Sequence, residues 1–268
     1  MLKVRKVFYP FYIIFRHRVL LWQTTCNDIK ARFAGSVFGI LWLILYPLLM
    51  LGAYASVYIY IFKVRFALFD SNEYVLLIFC GLIPFLGFCE ALGTGIPSVT
   101  TNAGLIKNTL FPIDIIPVKA VLSSQCTQTV GMILLGITLG IMGKLSLWAL
   151  LAIPIWLLQI MFTIGLIWIL SSLNVYFRDL QNIIAVITLF LMMVSPIAYT
   201  ADMVPANLRP FLGANPLYYL ITAYQDSLML GQFPRDNIMI VLTCLGFMFF
   251  FGGYWFFSKI KKLLADNV

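Results

Sequence analysis

The feature that most constrains this 268-residue chain is a series of long apolar runs. A helix needs about 20 apolar residues to cross the hydrocarbon core of a bilayer. Six runs approach or exceed that length, and the second of them contains Glu90. They span residues 37–62, 74–95, 115–142, 147–173, 180–200 and 237–257. The pattern predicts an all-α integral membrane protein with six transmembrane helices.

The composition excludes several other classes of protein. Charged residues make up 10% of the chain, whereas a soluble domain carries roughly a quarter. The net charge is +8, with 7 of the 18 basic residues before residue 37, which favours contact with anionic membrane lipids over nucleic acid. The five cysteines contain no Cys-x-x-Cys pair, and His17 is the single histidine. The sequence therefore predicts no disulfide framework, metal site or catalytic cluster.

The distribution of lysine and arginine predicts the orientation. With six spans both ends lie on one side, and basic residues concentrate in the loops that face the cytoplasm. Placing both ends inside puts 13 of the 18 basic residues inside and 5 outside. We therefore expect cytoplasmic termini, a transmembrane domain over residues 37–258 and a basic cytoplasmic tail over residues 259–268.

Residues 1–36 carry an apolar stripe that predicts one amphipathic helix in the cytoplasmic membrane interface. Polar residues, among them Arg16 and Lys30, fall on the opposite face. The stripe consists of Phe11, Phe15, Val19, Trp22, Cys26, Ile29 and Phe33. A simple topology signal before the first span is the alternative.

The chain has no nucleotide-binding signature of its own. Gly143 and Lys144 are followed by Leu145 and lack the earlier glycine of the phosphate-binding pattern. If ATP is used, ATP and Mg are therefore expected on a separate chain, with no cofactor on this one. Glu90 is the one carboxylate inside a predicted span, which favours a packing or near-interface role over the proton relay of a secondary carrier.

Several motifs occur in order along nearly the whole chain. They are Arg32 with Ser36, Gly39, Trp42 and Pro47; Gly81-Leu82-Ile83-Pro84-Phe85; Asn102 with Leu105-Ile106-Lys107, Phe111-Pro112 and Pro117; Asn174-Val175-Tyr176-Phe177-Arg178-Asp179; Ser195-Pro196-Ile197-Ala198-Tyr199; and Asn215-Pro216. In this order the chain resembles the membrane-spanning (permease) subunit of polysaccharide-exporting ABC transporters, the O-antigen, capsule and teichoic acid export family. It departs from that family at Phe85, where tryptophan is common, and at Gln225, where arginine is frequent.

The resemblance implies a transport subunit and not an enzyme. It implies a channel-forming permease of an ATP-driven exporter that moves a lipid-linked polysaccharide across the bacterial inner membrane. The partners would be a second copy of the chain and two copies of a cytoplasmic nucleotide-binding ATPase. Six spans look too few to enclose a wide channel, which also favours a symmetric dimer. The alternatives are a small-molecule or drug ABC exporter permease, a secondary carrier, and a membrane-embedded glycolipid transferase.

The inner loop over about residues 98–112 reads as a short polar helix, ended before Pro112 because proline disfavours helix at the preceding residue. In the resembled family this loop is the coupling helix that docks into the ATPase. The resemblance therefore makes Asn102, Leu105 and Lys107 the candidate contacts. An ordinary cytoplasmic connection is the alternative.

The resemblance also places Arg32, Arg178 and Asp179 at the cytoplasmic entrance. For Arg178 and Asp179 the alternative is a solvated loop with a positive-inside arginine.

Aromatic side chains along the first span are candidates for the channel wall, because sugars present flat C–H faces that aromatic rings can contact. The candidates are Trp42, Tyr46, Tyr54, Tyr58 and, in the second span, Phe85. An interfacial aromatic belt is the alternative.

Residues 202–226 are rich in proline and predict short re-entrant helices before the last span, buried against protein or beside water. In the resembled family such helices close the outer mouth. The candidate gate residues are Tyr199, Pro205, Asn215, Pro216, Tyr218 and Tyr224.

Overall fold

A computed structural model describes residues 8–57, 71–108, 111–199, 204–205, 207, 209–235 and 237–267. All regular secondary structure in those residues is helical. The α-helices are α1 (Tyr9–Arg16), α2 (Arg18–Arg32), α3 (Trp42–Ser56), α4 (Ser71–Gly95), α5 (Ser98–Thr101), α6 (Ala103–Asn108), α7 (Ile115–Ile141), α8 (Ala152–Tyr176), α9 (Leu180–Val194), α10 (Arg209–Gly213), α11 (Pro216–Tyr224) and α12 (Ile238–Asn267). Short 3-10 turns precede α3 and α8, and a π-helical turn follows α11.

Four helical segments in the described part of the chain are long and apolar enough to cross a membrane. They are Glu73–Gly95, Ile115–Ile141, Leu147–Tyr176 and Ile238–Lys261. These correspond to the second, third, fourth and sixth predicted spans. Their location follows directly from local apolarity, which is why the sequence predicts them well.

The other two predicted spans are shorter apolar helices, Gly39–Ala53 and Leu180–Val194. Fifteen helical residues extend about 22 Å, less than the hydrocarbon core of about 30 Å. The predicted helix over residues 180–200 is too long because Ser195, which precedes Pro196, adopts an extended backbone with φ −79° and ψ 143°. Residues 58–62 of the predicted first span lie outside the described residues.

The N-terminal segment forms two helices and not the single predicted one. The backbone leaves the helical region at His17, with φ −102° and ψ 18°. The two parts pack on different neighbours: Phe11 of α1 lies 4.7 Å from Phe250 of α12 between ring centroids, whereas α2 packs on α7. One straight helix could not make both contacts. The predicted stripe is largely exposed, with Phe15 67% and Trp22 71% exposed.

The segment between α2 and α3 turns sharply at two glycines. Gly35 and Gly39 have φ values of +79° and +50°, a left-handed conformation that glycine adopts without steric cost. The hydroxyl of Ser36 accepts a hydrogen bond from the Gly39 N–H at 2.9 Å. This turn redirects the chain from the N-terminal helices into α3.

Helix α4 packs against α7 and α8, and its residues Leu77, Cys80 and Leu82 are fully buried. The most extensive pairings are α8 with α12 and α4 with α7. A Cβ atom added at Gly253 of α12 would lie 2.7 Å from the carbonyl carbon of Gly165 in α8. The two helices therefore approach at backbone contact, as small residues permit between membrane helices.

Ion pairs identify which helix ends lie together. Glu73 at the start of α4 pairs with Lys144 after α7 at 2.6 Å. At the opposite end, Asp114 before α7 pairs with Lys261 of α12 at 3.1 Å. We call the second of these the termini end, since α2 and the last turns of α12 both lie there, and the first the distal end.

Candidate functional site

An open groove of about 450 Å³ lies between α3 on one side and α4 and α7 on the other. Trp42 and Tyr46 of α3 line it, facing Phe79, Ile83 and Leu86 of α4. Tyr46 is 43% exposed. The groove thus presents apolar and aromatic walls to a ligand with apolar faces.

The aromatic residues predicted for the channel wall lie in different environments. Trp42 and Tyr46 line the groove, whereas Phe85 is 2% exposed and buried in the core. Most groove residues of α4 recur at helical spacing from Phe79 to Glu90, whereas Phe85 lies off the centre of that face and is not among the residues that line the groove. The side chain of Tyr54 and all of Tyr58 lie outside the described residues.

A charge pair closes the end of the groove nearest the termini end. Arg32, the last residue of α2, donates through Nη1 to Oε1 of Glu90 in α4. The hydroxyl of Thr127 lies 3.4 Å from the same carboxylate oxygen. Both charged side chains are about one-third exposed, at 30% and 27%. Glu90 therefore has an ion-pairing partner within the groove wall.

The three residues predicted for the cytoplasmic entrance are not brought together. Arg178 lines a separate cavity of about 400 Å³ with Thr100 of α5 and Asn174 of α8, whereas Arg32 lies in the groove. Asp179 is exposed and precedes α9, where its carbonyl accepts from the Ile183 N–H at 3.1 Å. The entrance role of these residues stays a prediction.

The predicted coupling loop contains two short helices, α5 and α6, which we call the coupling segment (residues 98–108). Ser98 and Val99 are buried and anchor its first turn. Leu105 is 38% exposed, and Lys107 is exposed. An apolar and a basic side chain therefore project from the segment at the termini end.

Asn102 differs from the other two coupling candidates because its amide is used within the chain. Its Nδ2 donates to the Ser98 carbonyl at 2.7 Å, and its Oδ1 accepts from Lys119 Nζ at 3.4 Å. It lies at the break between α5 and α6, with φ −101° and ψ 23°. These contacts give Asn102 a place in the support of the segment.

A buried polar cluster behind the groove was not identified from the sequence. Gln128 of α7 and Gln159 of α8 donate to each other's amide oxygens at 2.7 and 2.9 Å. Gln159 also donates to the Pro84 carbonyl at 3.0 Å and accepts from the Tyr224 hydroxyl at 3.1 Å. The cluster joins α4, α7, α8 and α11. Glutamines inside predicted spans are the signal that could have indicated it.

Lys119 is a second residue of this region that the sequence analysis does not predict as a site residue. It is 5% exposed and pairs with Asp28 of α2 at 2.9 Å. A lysine inside an apolar run is an available signal, because buried charges in membrane helices are rare and paired.

The described part of the predicted gate region contains two short helices, α10 and α11. Asn215 caps α11 by accepting from the Leu217 N–H at 3.0 Å, and it donates to Ser195 at 2.9 Å. Pro216 occupies the first turn of α11, where its missing N–H costs nothing. The cap therefore fixes α11 to the break after α9.

The remaining gate candidates are in different environments. Tyr224 is fully buried, so it belongs to the core. The Tyr199 hydroxyl donates to the Val194 carbonyl at 2.6 Å, and Pro205 is exposed. The Tyr218 ring lies 5.1 Å from that of its neighbour Tyr219 between centroids.

Gln225, one of the two departures from the resembled family, is 3% exposed. Its amide nitrogen donates to the Pro196 carbonyl at 2.9 Å. A neutral side chain thus satisfies a carbonyl at the break after α9.

No group of three or more histidine, cysteine, aspartate or glutamate side chains able to hold a metal lies among the described residues.

Known proteins resemble this chain over most of its length. Residues 19–229 match the family model described as ABC-2 type transporter. Two O-antigen export system permease proteins RfbA from Klebsiella pneumoniae are 33% and 32% identical over 252 residues, which are 92% of this chain and 94% of each relative. The O-antigen export system permease protein RfbA from Myxococcus xanthus is 24% identical over 258 residues, covering 95% of this chain and 97% of the relative.

Proposed function

This chain belongs to the ABC-2 type transporter family, and from that premise we propose that it is the permease subunit of an ATP-driven polysaccharide exporter. The cargo is a lipid-linked glycan, such as an O-antigen or a capsule polysaccharide, which crosses the bacterial inner membrane. The observation that carries the proposal is the 33% identity to an O-antigen export permease over 92% of the chain.

The proposed pathway runs along the groove and is completed by a second copy of the chain. Aromatic rings at Trp42 and Tyr46 offer sugars apolar contact with a polar edge. The groove is open on one side, so a symmetry-related copy would supply the missing wall. The lipid anchor would remain in the bilayer beside α3.

We propose six crossings with both termini in the cytoplasm. The four long helices supply four of them. The two shorter apolar helices, α3 and α9, would supply the other two, and residues 195–199 would extend the path of α9. The excess of lysine and arginine in the inner loops supports this orientation. Short re-entrant helices, α10 and α11, would then lie at the outer face.

The energy would come from two copies of a cytoplasmic ATPase that bind ATP and Mg. Leu105 and Lys107 of the coupling segment are the proposed contacts, since both project from the termini end. An apolar side chain beside a basic one suits a docking site on the ATPase that has an apolar floor and an acidic rim.

The test is to co-purify the chain with its candidate ATPase in lipid and to measure complex formation and ATP hydrolysis. Leu105→Asp places a charge in the proposed contact and should abolish stable binding. Leu145→Asp is the matched control, because Leu145 is an exposed leucine near the distal end.

The expected result is a complex whose hydrolysis rises when lipid-linked glycan is added, is lost with Leu105→Asp and persists with Leu145→Asp. Equal binding by wild type and Leu105→Asp would contradict the contact assignment. Hydrolysis that responds to small apolar drugs and not to lipid-linked glycan would favour a drug exporter instead.

A further inference from the structure

We propose that Lys119 is a positioning residue that fixes the coupling segment to α2 and so links ATPase movement to the groove. The inference rests on the proposed function, because it concerns how the permease receives energy. It is carried by three contacts of one ammonium group at the termini end, two to Asp28 of α2 and one to Asn102 in the coupling segment.

Lys119 lies in the second turn of α7, between the coupling segment and α2. Its Nζ atom is 2.9 Å and 3.2 Å from the two carboxylate oxygens of Asp28 in α2. The same atom donates to Oδ1 of Asn102 at 3.4 Å. Asn102 in turn holds the carbonyl of Ser98. One ammonium group therefore joins α7, α2 and the break in the coupling segment.

The burial of Lys119 requires these partners. It is 5% exposed, and an ammonium group taken out of water costs several kcal/mol unless it is paired and hydrogen-bonded. The Asp28 side chain is 42% exposed, so its carboxylate is accessible to solvent. The buried lysine therefore depends on this pair more than its carboxylate partner does.

A second ion pair extends the link to the groove. Asp28 and Arg32 are four residues apart on α2 and lie on the same face of that helix. Arg32 pairs with Glu90 of α4 in the groove wall. A displacement of the coupling segment would therefore pass through Asn102 and Lys119 to α2, and from α2 to the groove.

The test replaces Lys119 by methionine in the full complex with the ATPase, reconstituted in lipid. Methionine keeps the length and apolar stem but removes the charge, and the partly exposed side chain of Asp28 can be hydrated in the absence of the lysine. The measured quantities are glycan exported and ATP hydrolysed, and the readout is their ratio. A loss of folded protein lowers both quantities together, whereas a loss of positioning lowers their ratio.

We expect Lys119→Met to lower the glycan exported per ATP by about tenfold, within the range that mutations along a coupling network produce. Lys144→Met is the matched control, because Lys144 also forms an ion pair but does so near the distal end. It should keep the wild-type ratio. Lys119→Arg, which retains the charge and can reach both partners, should recover much of the ratio.

Asn102→Leu supplies an independent variant in case Lys119→Met accumulates poorly, since it removes the acceptor for Lys119 without burying a charge. It should lower the same ratio. A wild-type ratio in Asn102→Leu, or in a well-folded Lys119→Met, would overturn the inference. A wild-type complex that shows no ATP-driven export would instead overturn the proposed function.

Discussion

Replacing Gly253 by alanine tests the contact between α8 and α12. The added Cβ would lie 2.7 Å from the carbonyl carbon and 2.8 Å from the Cα of Gly165. The nearest atom would be the carbonyl oxygen of Gly165. Carbon atoms pack best at about 3.5–4.0 Å, so the helices would have to separate by about 1 Å or more. The obstacle is backbone, which cannot rotate away as a side chain can.

Gly252 provides a control in the same helix. A Cβ added there meets nothing within 4 Å. Both substitutions gain the same helix propensity, roughly 1 kcal/mol for glycine to alanine. The difference between the two variants therefore isolates the steric cost, which for overpacking is about 1–3 kcal/mol.

The measurement is thermal unfolding of Gly253→Ala and Gly252→Ala, purified in the same detergent and repeated in lipid nanodiscs. We expect a lower Tm for Gly253→Ala and an unchanged or slightly higher Tm for Gly252→Ala. Equal Tm values for the two variants would refute the backbone contact between α8 and α12.

Three further predictions concern the groove and the polar cluster behind it. Gln159→Leu leaves the buried amide of Gln128 without its partner and should lower the free energy of unfolding by about 1–3 kcal/mol. Thermal or denaturant unfolding measures this change, and unchanged stability would contradict the cluster. Glu90→Gln should leave export ATP-dependent and reduce the export rate no more than about fivefold, because a partly exposed pair with Arg32 contributes about 0–1 kcal/mol. Export driven by a proton gradient would point to a secondary carrier. Tyr46→Ala should slow glycan export while complex formation with the ATPase persists, and an unchanged export rate would remove Tyr46 from the pathway.

The long helices are predictable because crossing a bilayer imposes a length and an apolar composition that the sequence displays directly. The helix α7 begins at Ile115, as predicted, and ends at Ile141, one residue before the predicted end. The end of α9 at Val194 also has a local cause, because Pro196 disfavours helix at Ser195. The apolar run continues past that point, so apolarity alone predicts too long a helix.

Long-range pairing is not predictable in this way. Lys119 and Asp28 are 91 residues apart, and nothing in either local sequence selects the other as partner. The break at His17 arises because α1 and α2 pack on different helices, so its cause lies outside the segment itself. For the same reason Phe85 is predicted on the channel wall but lies in the core, since its environment depends on which helices surround α4.

We propose above that this chain moves lipid-linked glycan across a membrane with ATP hydrolysed by a partner. The most direct measurement reconstitutes the purified permease and ATPase in proteoliposomes that carry lipid-linked glycan in the leaflet facing the ATPase. The fraction of glycan reaching the opposite leaflet is then measured with a lectin or a glycosidase added on that side. We expect transfer that requires both proteins and ATP hydrolysis. Transfer without ATP, or none in a complex that hydrolyses ATP in response to the glycan, would contradict it.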